Sequence, residues 1–375
     1  MTRPVSEPYA ITMWDFSWLE RRWPGAGYED WDRVLDELAE RGYNAVRIDA
    51  YPHLVSAGAE DVWELLPQWT ENTWGAQSVT NVRVLPELIE FISKAKDRNI
   101  GVALSTWFRQ DRSDTRMRIN TPQALAQVWI DTLEHLDRAS LLDNILYVDL
   151  CNEFPLPNWA PFLYGIASGA GYRRTDAKVA AWMSRSIEAV RNRYPDLDYT
   201  FSFAGQYDDW PAQDVAALDF LEPHIWMALP EVSDYYVKVG YNFEQYSPVG
   251  YDNIAARGRS VYLADQERYD HLLFSTIDEL ARWSFATGKP LVTTECWSIV
   301  DYKDWPGLDW DWVMDLNARA VEYAVGTGRW IGIATSNFTG PQFRGVWRDV
   351  DWHQRLTSLI TSAPIAADLT TNPSA

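Results

Sequence analysis

ILYVDLCNEFP, residues 145–155, begins as a buried β-strand and ends on groups that a buried strand ordinarily avoids. Ile145, Leu146, Tyr147 and Val148 are followed by Asp149, Asn152 and Glu153, and the run stops at Pro155. A carboxylate at the mouth of an apolar strand loses hydration, so it must be offset by partners or be put to use.

Working outward from this stretch, strands and helices alternate to both ends of the chain. Upstream lie strands at 9–16 (YAITMWDF), 44–51 (NAVRIDAY) and 100–108 (IGVALSTWF), with helices predicted at 28–42, 85–99 and 121–136. Thr121 and Pro122 suit the cap and first turn of the last of these. Downstream, strands are predicted at 198–205, 223–229, 290–298 and 330–338, with helices at 175–194, 211–221, 275–288, 312–328 and 351–363. Eight strand–helix units with no antiparallel hairpin signal and no G-x-G-x-x-G turn after strand 1 predict a (β/α)8 TIM barrel rather than a doubly wound sheet. The expectation is one domain over residues 1–365 and a flexible C-terminal tail at 366–375. The loops after strands 2 (52–82), 4 (154–174) and 6 (230–274) are long, and they fall at the rim where barrel enzymes build their sites. Tyr235, Tyr236, Tyr241, Tyr246, Tyr251, Tyr262 and Tyr269 would make the third of them a lid or the contact of a homo-oligomer.

Composition bounds the chemistry. Of 375 residues, 47% are apolar and 23% charged, as in a folded globular chain. The 21 Trp and 19 Tyr exceed what a core needs. Many stand in loops: Trp63, Trp69, Trp74, Trp159, Trp210, Trp305, Trp310 and Trp312. Flat apolar faces with one polar edge suit sugar rings. The net charge of −20 argues against nucleic acid and anionic membrane surfaces as partners. The basic cluster Arg109, Arg112, Arg116 and Arg118 is interleaved with Asp111 and Asp114 and reads as a solvated or salt-bridged loop rather than a phosphate site. The N-terminus lacks an apolar signal region and no run is long enough to span a membrane, which predicts a cytoplasmic protein. Cys151 and Cys296 read as inert buried thiols. With no H-E-x-x-H, P-loop or G-x-S-x-G, no metal or other cofactor is expected.

Two carboxylates end apolar runs on strands three apart, Glu153 after strand 4 and Glu295 after PLVTT on strand 7. Across a barrel mouth such a pair can cleave a glycosidic bond, one acid donating a proton and one carboxylate attacking the anomeric carbon. Burial at the strand end is expected to raise the pKa of Glu153, so that it holds a proton near neutral pH.

CNEFP on strand 4 and TTECW on strand 7 resemble the retaining glycoside hydrolases of clan A, the cellulase-like (family 5-like) TIM barrels, as an outlying branch. The resemblance implies that Glu153 is the general acid/base and Glu295 the nucleophile. It also implies that Asn152 binds the sugar 2-hydroxyl, that Arg47 keeps the nucleophile ionised, and that His224 is the strand 6 histidine. The chain departs from the pattern at Trp226, where a Tyr is usual, at the end of strand 3, where Trp107 stands and no His is offered, and at Asn337, where a sugar-stacking Trp is usual. All three are candidate substrate contacts. Asp49 and His53, just past strand 2, either line the pocket or brace its loop. The expected activity is double-displacement hydrolysis of a neutral β-D-glycoside or α-L-arabinofuranoside, exo-acting on short carbohydrate substrates. A catalytically silent sugar-binding barrel and a transglycosylase are the alternatives.

Overall fold

The computed structural model describes residues 7–70, 75–165, 171–231 and 233–370; Trp74 lies outside them. Within these, eight parallel strands form a barrel. They are β1 (Tyr9–Thr12), β2 (Ala45–Asp49), β3 (Gly101–Ser105), β4 (Ile145–Asp149), β5 (Asp198–Thr200, continued by Phe203–Ala204), β6 (Pro223–Trp226), β7 (Leu291–Thr293, continued by Cys296–Trp297) and β8 (Trp330–Ile333). The first segments pair in the order β7-β8-β1-β2-β3-β4-β5, and the second segments of β5 and β7 meet through β6, which closes the ring.

Apart from the one at 248–264, the long helices follow their sequence signals. They are α1 (Trp31–Glu40), α2 (Val84–Lys96), α3 (Pro122–Arg138), α4 (Ala177–Arg193), α5 (Pro248–Ala264), α6 (Gln266–Thr287), α7 (Asp311–Gly326) and α8 (Val350–Thr361). The Thr121 hydroxyl accepts the Ala124 N–H and Pro122 opens the first turn of α3. Every residue of β2 is buried, as a strand with helices outside and side chains inside requires. By alternation Val46 and Ile48 share one face and Arg47 and Asp49 the other. Charge therefore points into the barrel while the apolar side chains face its shell.

Four expectations change. The predicted helix at 211–221 is only a 3-10 turn, Trp210–Ala212. The Asp214 carboxylate accepts the Ala216 N–H, a local turn that competes with helix. The segment 230–274 is largely helical rather than a lid: α5 and the start of α6 fill it, and its seven tyrosines are buried. Tyr262 stacks on Trp312 at 5.1 Å, so these rings extend the hydrophobic core beneath the helices. The loop after β2 holds an antiparallel pair, Trp63–Leu65 with Thr80–Val82. The expected loose tail is docked as far as residue 370: Ala367–Thr370 form a helical turn, Leu369 is buried and Asp368 pairs with Arg329 at 2.6 Å. The basic cluster is salt-bridged as expected, with Arg109 on buried Glu20 at 2.9 Å and Arg116 on Asp114 at 2.8 Å.

Candidate active site

The site is built around one buried cation. Arg47, fully buried on β2, donates through Nε to Asp15 (2.9 Å) and through Nη1 to Glu222 (3.1 Å) and Thr294 (2.8 Å). Its Nη2 donates to Asn152 Oδ1 and to Glu295 Oε1, both at 2.8 Å. Burial works against its charge, but the carboxylates of Asp15, Glu222 and Glu295 more than reverse that and hold it protonated. Glu222, buried and facing Asp149 as well as Arg47, is pushed up to about 7. Asp149 itself is used deeper in the barrel, accepting from the hydroxyls of Ser105 and Ser202, each at 2.8 Å.

Neither glutamate sits on regular strand. β4 ends at Asp149, and Glu153 has a left-handed backbone with φ 45°. That turn lets Asn152 and Glu153 both reach the mouth, where strict alternation would have sent them to opposite sides. The Glu153 N–H donates to Ser202 Oγ at 2.9 Å. Thr294 and Glu295 fall in the break between the two segments of β7, so both again turn inward.

The His224 imidazole bridges the pair. Its Nε2 lies 3.3 Å from Arg47 Nη1, which can only donate, and 3.4 Å from the Thr294 hydroxyl. Its Nδ1 therefore carries a proton and donates to Glu153 Oε1 at 3.0 Å, with Glu295 Oε1 at 3.5 Å from the same nitrogen. An oxygen of Glu153 and one of Glu295 lie within 4.8 Å of each other. Burial raises Glu153, but the hydrogen bond from His224, with a further hydrogen bond from Trp159, more than reverses it and holds it below the ordinary carboxylate value. At Glu295, burial and the nearby Glu153 outweigh His224 and Arg47 and push it up to about 7. This corrects the expectation that burial alone decides Glu153: the donors on its oxygens lower it, and Glu295 is the member of the pair that is pushed up. Glu153, His224 and Glu295 are also spaced as candidate metal ligands. The Arg47 guanidinium, bonded to Glu295 and against His224, already supplies the positive charge at that point.

Above the pair opens a cavity of roughly 1030 Å³. Trp69, Trp107 and Trp159 form one wall, edge to face, with centroids 4.7 Å apart for Trp107 and Trp159 and 5.2 Å for Trp69 and Trp159. Trp14 and Trp226 also line it.

Glu153, Glu295, Trp107, Trp226 and Asn337 all line this cavity. Arg47, Asn152 and His224 lie buried beneath it, and the Asn152 Nδ2 has no protein partner. Two candidates stand elsewhere. Asp49 accepts the backbone N–H groups of Tyr51 (2.8 Å) and Trp107 (2.9 Å), and His53 Nε2 meets the Arg109 carbonyl at 3.0 Å. Both brace the loops after β2 and β3 rather than line the pocket. Asp15, Glu222, Thr294 and Trp159 were not among the candidates. Asp15 and Thr294 carry the visible signal of polar residues at strand ends, and Trp159 that of a loop aromatic. Glu222 had only a charge next to Pro223.

Residues 11–361 match the family described as sugar-binding cellulase-like. A solved structure described as a candidate glycoside hydrolase from Parabacteroides distasonis is 47% identical, with a TM-score of 0.95 over 98% of this chain and 97% of its own. At the level of fold alone, an endocellulase from Pyrococcus horikoshii in complex with cellotetraose is 13% identical with a TM-score of 0.52, each chain covered to 92%. A family 5 mannosidase from Rhizomucor miehei is 11% identical with a TM-score of 0.54, covering 95% of this chain and 94% of its own. No curated protein matches the chain. Among the described residues no helix is long and apolar enough to cross a membrane.

Proposed function

The chain belongs to the sugar-binding cellulase-like family, whose fold is that of glycoside hydrolases, and on that basis we propose that it is a retaining glycosidase with Glu153 as general acid/base and Glu295 as nucleophile. The observation that carries the reading is the pair of carboxylates with oxygens within 4.8 Å. Retaining enzymes place theirs about 5–5.5 Å apart, whereas inverting ones need ~6.5–9.5 Å to admit a water.

In the first step Glu295 attacks the anomeric carbon while the Glu153 proton passes to the leaving oxygen, giving a glycosyl ester and a free alcohol. In the second, Glu153 takes a proton from water, whose oxygen attacks the same carbon and releases Glu295. Arg47 neutralises Glu295 as it leaves, and Asn152 Nδ2, which has no protein partner, donates to the 2-hydroxyl. The substrate is a neutral β-D-glycoside or α-L-arabinofuranoside. The cavity is lined by Glu153, Asp208, Glu231, Glu244, Glu279 and Glu295 against Arg173 and Arg282, so an anionic sugar meets net repulsion. The tryptophan wall on one side favours exo-action on short glycosides over an open polymer cleft.

The test is Glu295→Ala with an activated aryl glycoside and azide. The reading expects loss of hydrolysis, recovery with azide, and a glycosyl azide of inverted configuration by NMR. Hydrolysis at the wild-type rate in the variant overturns the nucleophile; a wild type inert across aryl pyranosides and furanosides favours a silent sugar-binding barrel.

A further inference from the structure

Some buried tryptophans satisfy their indole N–H on the backbone, Trp31 on Trp18 O, Trp129 on Leu150 O and Trp297 on Ala334 O, and others on carboxylates outside the glutamate pair, Trp107 on Asp15, Trp310 on Asp304 and Trp347 on Glu37. Trp159 meets a member of the pair itself. Its Nε1–H donates to Glu153 Oε2 at 2.9 Å, from the loop after β4 and from the wall of the cavity. The ring is fixed for this contact: its backbone N–H donates to Leu156 O at 3.1 Å, and its faces and edges are held by Trp69 and Trp107.

Glu153 thus has a donor on each oxygen, His224 Nδ1 on Oε1 and Trp159 Nε1 on Oε2. The other charged or titratable groups around it are Arg47 from β2, Glu295 from β7, Tyr207 from the loop after β5, Glu244 from the segment after β6 and Cys151 from its own turn. Two donors stabilise the carboxylate and leave a protonated Glu153 without a role for its O–H. His224 is fully buried and held by Arg47 and Thr294, so its bond to Oε1 persists. Trp159 faces the space a ligand enters.

We propose that Trp159 is a positioning residue for the acid. Its indole N–H holds Oε2 as an ionised acceptor at the cavity wall, and the leaving oxygen of a bound glycoside takes the indole's place at Oε2 once Glu153 carries the proton of the pair. The proton then passes from Oε2 to that oxygen as its bond to the anomeric carbon breaks. This rests on the double-displacement reading above.

Trp159→Phe keeps the ring in the wall and removes only the donor. Losing one hydrogen bond to a carboxylate moves the deprotonation of the pair to higher pH by about one unit. The alkaline limb of kcat/KM shifts up by that amount in the variant. Independently of any turnover, the indole N–H resonance of Trp159, assigned by its absence in Trp159→Phe, titrates with pH in the full-length protein and stops titrating in Glu153→Gln. A titrating resonance in a protein that cleaves no glycoside keeps the contact and discards the enzyme. An unmoved limb in Trp159→Phe, or a resonance indifferent to pH, overturns the proposal.

Discussion

Replacing Arg47 with methionine tests the electrostatic centre most directly, because it removes the charge while keeping a side chain of similar reach. Three buried carboxylates, Asp15, Glu222 and Glu295, lose their common partner, and Thr294 and Asn152 lose a donor. Breaking a buried ion pair from one side costs about 3–5 kcal/mol, and each orphaned neutral partner about 1 kcal/mol more. Three separate penalties do not accumulate. Glu222 and Glu295 already titrate at about 7 with Arg47 present, so without it they take up protons near neutrality at little cost. The expected loss is about 4–6 kcal/mol at pH 7, equivalent to roughly 5–10 °C in Tm for a chain of this size. The sign with pH follows from proton counting. A carboxylate whose folded pKa exceeds its unfolded one binds more protons when folded, so stability falls as pH rises between the two values. In the wild type that fall is complete just above 7; in the variant the folded values lie higher, so the deficit is larger at pH 8.5 than at pH 6. Thermal melting by circular dichroism at the two pH values reads both quantities. In the same variant a protonated Glu295 is a poor nucleophile, and kcat at pH 7 drops about a hundredfold or more. A variant that melts within 2 °C, on the order of 1 kcal/mol, of the wild type at both pH values refutes the reasoning.

For the wild type, activity requires one proton on the glutamate pair. With Glu295 at about 7, kcat/KM for an aryl glycoside falls as pH rises through about 7, and a profile flat to pH 9 removes the shared proton from the mechanism. His53→Asn lowers stability by about 1–3 kcal/mol through the lost contact with the Arg109 carbonyl and leaves kcat/KM unchanged. Because burial holds His53 down at about 4, the wild type loses stability as pH falls below the unfolded value of about 6.5 and the variant does not, so the deficit is larger at pH 8 than at pH 6 by about 0.8 kcal/mol, as urea unfolding at each pH would show.

The barrel was legible because its signals are local and periodic. The 3.6-residue stripe of Trp31, Val34, Leu35 and Leu38, and the Thr121-Pro122 cap, depend on nothing distant. What was misread depended on competition between local and tertiary contacts. The stretch at 211–221 has helical spacing, but its Asp214 side chain takes a backbone N–H within the segment. The tyrosines of 235–269 carry no helical stripe that marks them as buried, and they are core because two helices cover them.

The site divides along the same line. Glu153 and Glu295 could be found because a carboxylate ending an apolar strand is conspicuous by type, whatever surrounds it. Their ionisation could not, because it is decided by who donates to which oxygen. Desolvation acts on both glutamates, and it was the only influence the sequence made visible at Glu153. The influence that reverses it comes from His224, on a strand 71 residues away, and from Trp159, whose ring reaches back only because the chain turns left-handed at Glu153. A strand-end glutamate therefore advertises that a proton will be held at the mouth of the barrel. Which of two such glutamates holds it depends on the donors that reach each oxygen, one from a distant strand and one from the loop that follows its own.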